Sequence, residues 1–234
     1  MPVILSIETA TEVCSVALSR NGELITGKDS ASSNEHSSLL TLFITEVMEE
    51  AGIPLNALDA VAVSKGPGSY TGLRIGVSAA KGLCYALDKP LIAVSTLKAL
   101  AYQTLSQFPS LKNQDTLICP MIDARRMEVF TALYTHQMQE VSKIDALILD
   151  QHSFDEFSNY TIAISGNGAE KCKELFSGSG KIIFPGHVRN SAEAISSLAV
   201  DMFNIKEFVD TAYFEPFYLK DFIAGKPKVK GLHG

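Results

Sequence analysis

A glycine-punctuated loop that runs without a break into a helix constrains this chain most. Residues 64–87 read SKGPGSYTGLRIGVSAAKGLCYAL, and the apolar residues 60–63 before them read as the end of a buried strand. Gly66, Pro67, Gly68 and Gly72 suit a tight turn, because proline fixes its own φ and glycine permits φ > 0 and close backbone approach. From Thr71 the pattern is helical to about Leu87, where Asp88-Lys89-Pro90 stops it. Inside the helix Gly72, Gly76 and Ala80 stand four apart, with Ala79 and Leu83 beside them, so small residues form one stripe. A glycine inside a helix costs roughly 1 kcal/mol against alanine, so the stripe needs a reason. Either the loop amides and helix N-terminus cradle an anion, or the stripe admits another helix, of this chain or of a partner. The loop is not a Walker A, since Lys65 precedes the glycines and Leu73 follows Gly72. Ser69 stands in G-x-S-x-x-G rather than G-x-S-x-G, which argues against a hydrolase nucleophile.

The chain around this stretch alternates strand and helix. Residues 3–7 and 13–18 read as strands joined by a tight connection, and Asn21-Gly22 is a hairpin signal into a third strand at 23–26. Residues 32–35 offer caps for an amphipathic helix at 37–51, whose apolar face carries Leu39, Leu40, Phe43, Ile44, Val47 and Met48. A strand at 91–94 and a helix at 96–106 complete a βββαβαβα half. Residues 107–114, with Pro109 and polar neighbours, are the candidate boundary. After it the chain starts again. Ile122-Asp123-Ala124 echoes Ile7-Glu8-Thr9, each followed ten residues later by Ala-Leu, and Ile164-Ser165-Gly166 echoes Val63-Ser64-Lys65-Gly66, each expected to lead into a helix. The expected domains are a first lobe at 1–106, a second at 107–207 and a mobile tail at 223–234, with segment 208–222 a candidate to pack back on the first lobe.

The totals set limits. The chain has 234 residues, a net charge of −6 and no basic footprint for tight independent binding to nucleic acid or an anionic membrane. Its four cysteines are scattered, with no zinc spacing, and are expected to be reduced and mostly buried, which fits the cytoplasm. The N-terminus lacks the pattern of a signal peptide, and no apolar run is long enough to span a membrane. No two of the five histidines are spaced as a metal pair on a helix. His36, near a helix start, reads as a cap or surface residue. Glu8 and Asp123 read as hydrogen-bonded or solvated turn acids, with a Mg²⁺–nucleotide role the sharper alternative.

An acidic turn in a β-meander, repeated as two α/β halves, resembles the duplicated actin/Hsp70/hexokinase-like (ASKHA, ribonuclease H-like) fold. More narrowly, IETATEVCSVAL at 7–18, GPGSYTGLRIG at 66–76, IDARRMEVF at 122–130 and the closing EPFYLKD at 215–221 resemble the bacterial TsaB (YeaZ) family. The resemblance implies a non-catalytic subunit of the machinery that makes N6-threonylcarbamoyladenosine at adenosine 37 of tRNAs reading ANN codons. It implies TsaD and TsaE as partners, tRNA contact only through the complex, a cytoplasmic location and no membrane, and it leaves both a monomer and a homodimer open for the isolated chain. It also implies that ATP and a metal sit in the partner subunits rather than in this chain. In the catalytic relative TsaD two histidines four apart hold the metal; here the matching positions are Thr96 and Leu100, and leucine cannot ligate.

In that family two helices of the first lobe pair with the matching helices of TsaD or of a second copy. The resemblance therefore places a partner interface on Leu39, Leu40, Phe43, Val47, Gly72, Arg74, Gly76, Val77, Ala80 and Leu83. On this placement a Gly76→Arg variant folds and loses its partner. The alternative class is an enzyme, either an independent ASKHA-type ATPase or phosphotransferase or an M22-like metallopeptidase. The first would need a glycine-rich phosphate hairpin where this chain has Glu8-Thr9-Ala10-Thr11-Glu12, and the second a metal pair.

Overall fold

The structure, a computed structural model, describes residues 1–30 and 35–219. The cap candidates 32–34 and the tail 223–234 lie outside these residues.

The first sheet is built from β1 (Val3–Glu8), β2 (Cys14–Arg20), β3 (Glu23–Ser30), β4 (Ala60–Ser64) and β5 (Leu91–Val94) in the order β3-β2-β1-β4-β5. The meander β1–β3 is antiparallel, as the Asn21-Gly22 turn dictates, and Asn21 and Gly22 both take positive φ. β4 and β5 join in parallel, which requires crossovers; α1 (His36–Ala51) and α2 (Tyr70–Leu87) supply them. β1 and β4 are buried along their whole length, the pattern of strands covered on both faces.

The second sheet repeats this plan. β6 (Thr116–Asp123), β7 (Glu128–Thr131), β8 (Asp145–Ile148), β9 (Thr161–Ser165) and β10 (Ile182–Ile183) run β8-β7-β6-β9-β10, so each takes the place of its counterpart in the first half. The internal echoes fall on equivalent strands: β1 with β6, and β4 with β9. This is the duplicated ASKHA-like α/β architecture. The second copy is trimmed, because where α2 follows β4 the chain after β9 makes only a single 3₁₀ turn, Glu170–Cys172, instead of the expected helix.

The last helix of each half crosses to the other. α3 (Thr96–Gln107) follows β5 but buries Leu97, Leu100, Ala101 and Leu105 with Ile118, Ile122 and Ala163 of the second sheet. Thr104 Oγ1 meets Ser165 Oγ at 2.7 Å, fixing α3 to β9. α4 (Ala192–Asn204) follows the second sheet but packs Ala194, Ile195 and Ala199 on Ile4, Ala62 and Ile92 of the first. There Ser196 Oγ donates to Ser6 Oγ at 2.8 Å. Although it follows residue 107, α4 packs on the first sheet, and α3 is shared, since Ala99 on its other side packs into the first-lobe layer. An amphipathic pattern says that a helix covers a sheet and not which one.

Beyond α4 the chain lies along the first lobe. Val209 N donates to Leu91 O at 3.0 Å beside β5, and Lys81 Nζ on α2 donates to the carbonyls of Ala212 and Phe214. Phe217 N donates to Lys65 O at 2.7 Å, and a Cβ on Gly66 (φ +107°) would overlap the Phe217 carbonyl oxygen. The first glycine of the loop is therefore the seat of this segment.

Candidate functional site

α1 and α2 lie side by side on one face of the first sheet. Their inward residues, Leu40, Ile44, Val47 and Met48 from α1 and Val77, Ala80 and Cys84 from α2, join Leu5, Ile7, Val16, Val61 and Val63 in one core. Each helix has a second apolar stripe at four-residue spacing. Leu39 and Phe43 on α1, and Ile75, Ala79 and Leu83 on α2, are only half-buried against the same core. Leu42 is 49 % exposed beside the first stripe. Part of each stripe is in contact with water.

The residues of the sequence-placed interface fall on both sides of this division. Leu40, Val47, Gly72, Gly76, Val77 and Ala80 are buried inside the chain. The small-residue stripe faces the β1–β2 turn instead of another helix. A Cβ on Gly72 would overlap the Thr9 carbonyl oxygen, and one on Gly76 would overlap Thr9 Oγ1. Thr9 Oγ1 also donates to Gly72 O at 2.8 Å. Gly76→Arg is therefore a core substitution and no clean probe of a surface. Leu39, Phe43 and Leu83 remain at the water-facing margin. Arg74 is exposed but occupied, its guanidinium 4.8 Å from the Tyr70 ring centroid, while Tyr70 stacks at 4.9 Å on Tyr218 of the returning segment. Leu42, Ile75 and Ala79 lie on the same water-facing side and are not among the residues the sequence placed there. The signal was present: α2 is apolar at 75-79-83 as well as at 72-76-80, more than one buried face requires.

Three amides of the loop and helix start, those of Gly66, Ser69 and Gly72, are used within the chain, which counts against the anion-cradle reading. Ser69 N donates to Ala10 O at 2.7 Å, Gly66 N to Thr96 Oγ1 at 3.0 Å, and Gly72 N to the capping Ser69 Oγ at 3.2 Å. A Cβ on Gly68 would overlap Ala10 O, so this glycine serves close approach of the turn.

The candidate acids and histidine have structural partners. Glu8 is fully buried, its Oε1 accepting from Ala10 N at 2.5 Å and Ser64 Oγ at 3.0 Å. Burial pushes its carboxyl up to about 7, opposed by these bonds and by the Asn190 amide. Glu8 Oε2 and Asn190 Nδ2 are left without well-formed hydrogen bonds. Asp123 accepts from Lys171 Nζ at 2.5 Å and Arg125 N at 2.6 Å, while Lys171 also holds the carbonyls of Arg126 and Glu128. His36 is buried, against expectation. Its Nε2 lies 3.0 Å from Thr11 O and 3.2 Å from Val13 O; since both are acceptors, Nε2 carries the proton and ties the start of α1 to the β1–β2 turn. Among the described residues no group of three His, Cys, Asp or Glu is arranged to hold a metal. Thr96 is buried, its N donating to Gly66 O, and Leu100 is a core residue with no exposed surface.

Duplicated sheets, crossed-over helices, a closed glycine loop and an apolar helix pair define a two-lobed α/β protein of the ASKHA class. The comparisons narrow it. Residues 30–222 match the family model described as TsaD, tRNA N6-adenosine threonylcarbamoyltransferase. The chain is 31 % identical over 230 residues to the tRNA threonylcarbamoyladenosine biosynthesis protein TsaB of Escherichia coli, covering 95 % of this chain and 96 % of that protein. The TsaB protein of Bacillus subtilis is 36 % identical over 134 residues, 57 % of this chain and 56 % of that protein. The solved structure of YeaZ from Pseudomonas aeruginosa superposes with a TM-score of 0.79 at 28 % identity, over 94 % of this chain and all (100 %) of that one. The chain belongs to the TsaB/YeaZ family.

Proposed function

We propose that this chain is the non-catalytic scaffold and activating subunit of a tRNA threonylcarbamoyladenosine transferase complex. It docks TsaD on the water-facing side of α1 and α2, TsaE joins the assembly, and TsaD transfers the threonylcarbamoyl group to adenosine 37 of ANN-decoding tRNAs. The reading assigns ATP and the metal to the partner subunits, tRNA contact to the whole complex and the complex to the cytoplasm. Among the described residues, no helix is long and apolar enough to cross a membrane.

The observation that carries it is the pair of half-exposed apolar stripes, Leu39 and Phe43 beside Ile75, Ala79 and Leu83, on a helix pair whose other face is already buried. Paired helices of a relative with the same fold can cover such stripes, and a second copy can do so when TsaD is absent. The full occupation of Thr96 and Leu100 by packing supports a subunit without its own metal chemistry.

Ala79→Arg puts a long cation on the half-buried stripe, and Leu42→Glu puts an anion beside the other. Both sites are partly water-exposed, so both variants fold, with circular dichroism melts close to wild type. Each should weaken TsaD binding by about 100-fold or more, the range of a lost central contact, and abolish threonylcarbamoyladenosine formation in the reconstituted system. Any homodimer of the isolated chain should dissociate in sedimentation velocity. Full TsaD binding by both folded variants would remove this face from the proposal. Threonylcarbamoyladenosine formation or ATP turnover by the chain alone would overturn the non-catalytic role.

A further inference from the structure

The two lobes face one another across a cleft of about 1220 Å³. Its first wall is the β1–β2 turn with the start of α2, and its second is the β6–β7 turn with Asn167. The polar groups along it mostly have partners within the chain. Asp123 is held by Lys171, His36 by two carbonyls, and Ser69 Oγ by Gly72 N. The Asn167 side chain crosses from wall to wall. Asn167 Nδ2 donates to Glu12 Oε2 at 2.6 Å, and Asn167 Oδ1 accepts from Asp123 N at 2.9 Å.

Both ends of this bridge are anchored. Gly168 N donates to Met121 O at 3.0 Å, and Gly166 takes φ +97° against the same carbonyl, so the loop carrying Asn167 is fixed to β6. Glu12 lies in a turn pinned by His36 to α1 and by Ala10 O and Thr9 to α2. At the back, the crossed-over α3 and α4 join the lobes through apolar packing and through the Thr104–Ser165 and Ser196–Ser6 hydrogen bonds. A closely packed back and a polar bridge at the mouth form a hinge and a fastening.

We propose that the Glu12–Asn167 hydrogen bond is a latch that holds the two lobes at this separation and sets the width of the cleft. The amide is the two-headed element. It takes its orientation from the Asp123 amide in its own lobe and offers its N–H to the carboxylate of the other. Asn167→Asp keeps the shape and the acceptor for Asp123 N but sets a second carboxylate against Glu12.

The test measures interlobe distance by electron–electron resonance between spin labels at Thr71→Cys and Met127→Cys, both exposed and on opposite walls. The four native cysteines are buried, and burial holds their thiols at about 11 to 12, so labelling is confined to the new pair. Asn167→Asp should shift the distribution to longer distances and lower the weight of the wild-type peak about tenfold or more, the loss expected for a charge-assisted bond. Glu12→Gln combined with Asn167→Asp restores a donor–acceptor pair with its direction reversed and should recover the wild-type distribution. Glu12→Ala breaks the bridge from the other side on a half-exposed turn, and serves if Asn167→Asp does not fold. A wild-type distribution in the folded single variants overturns the latch, as does failure of the double variant to recover it.

Discussion

Gly72→Ala should destabilise the chain by about 3 kcal/mol or more, while Gly82→Ala in the same helix should stabilise it by about 0.5–1 kcal/mol. The residue types are identical and the surroundings opposite. A methyl group on Gly72 would overlap the Thr9 carbonyl oxygen, which is backbone and cannot rotate away. Relief requires moving either the β1–β2 turn or the start of α2. That turn also takes Ser69 N on Ala10 O and His36 Nε2 on Thr11 O, so a shift strains several bonds together. Gly82 meets nothing within 4 Å and is exposed. Alanine there removes unfolded-chain entropy and adds helix propensity at no steric cost. Urea denaturation of both variants at one pH decides it: the midpoint should fall steeply for Gly72→Ala and rise for Gly82→Ala. A Gly72→Ala midpoint close to wild type would mean that the glycine stripe is not seated on Thr9.

That contrast also marks where sequence reading stops. The two halves were legible because strand periodicity, the Asn21-Gly22 turn and the repeated acid-after-strand pattern are local properties of the chain. So were the limits of α1, α2 and α3, to within one or two residues. Direction was not legible. A stripe at Gly72, Gly76 and Ala80 states that something comes close, and β1–β2 satisfies that as well as a partner helix would. The exchange of α3 and α4 between lobes was hidden for the same reason. His36 was misplaced because its two acceptors are backbone carbonyls, which no side-chain pattern reports. Asn167 stands between Gly166 and Gly168 and reads as an ordinary turn residue; only the folded chain brings it to Glu12, 155 positions away.

Glu8 gives the chain a pH-dependent stability of unusual sign for a carboxylate. Most structural carboxylates are better ionised in the folded state and destabilise it when protonated. Glu8 is the reverse: burial raises its carboxyl from 4.5 to about 7, and the bonds from Ala10 N and Ser64 Oγ only partly oppose that. The folded chain therefore prefers the neutral acid. The stability this group contributes is fully present below about pH 4.5 and is lost as pH rises through about 7. The difference across that window is about 3 kcal/mol. Other carboxylates titrate in the opposite sense, so wild type alone does not isolate the effect. Glu8→Gln does, because glutamine keeps an acceptor for Ala10 N and never ionises. Its stability relative to wild type should rise by about 3 kcal/mol between pH 4.5 and pH 8.5, read from urea denaturation at each pH. Its absolute value carries any cost of a second amide facing Asn190 Nδ2, which already lacks a well-formed bond. That cost does not vary with pH, so the slope belongs to Glu8. A relative stability that stays flat across the window would show that the Glu8 carboxyl titrates near its ordinary value, with water reaching Oε2 in the folded chain. A relative stability that falls would show that the carboxylate is bound more strongly than the acid, and would place an unrecognised donor or cation opposite Oε2.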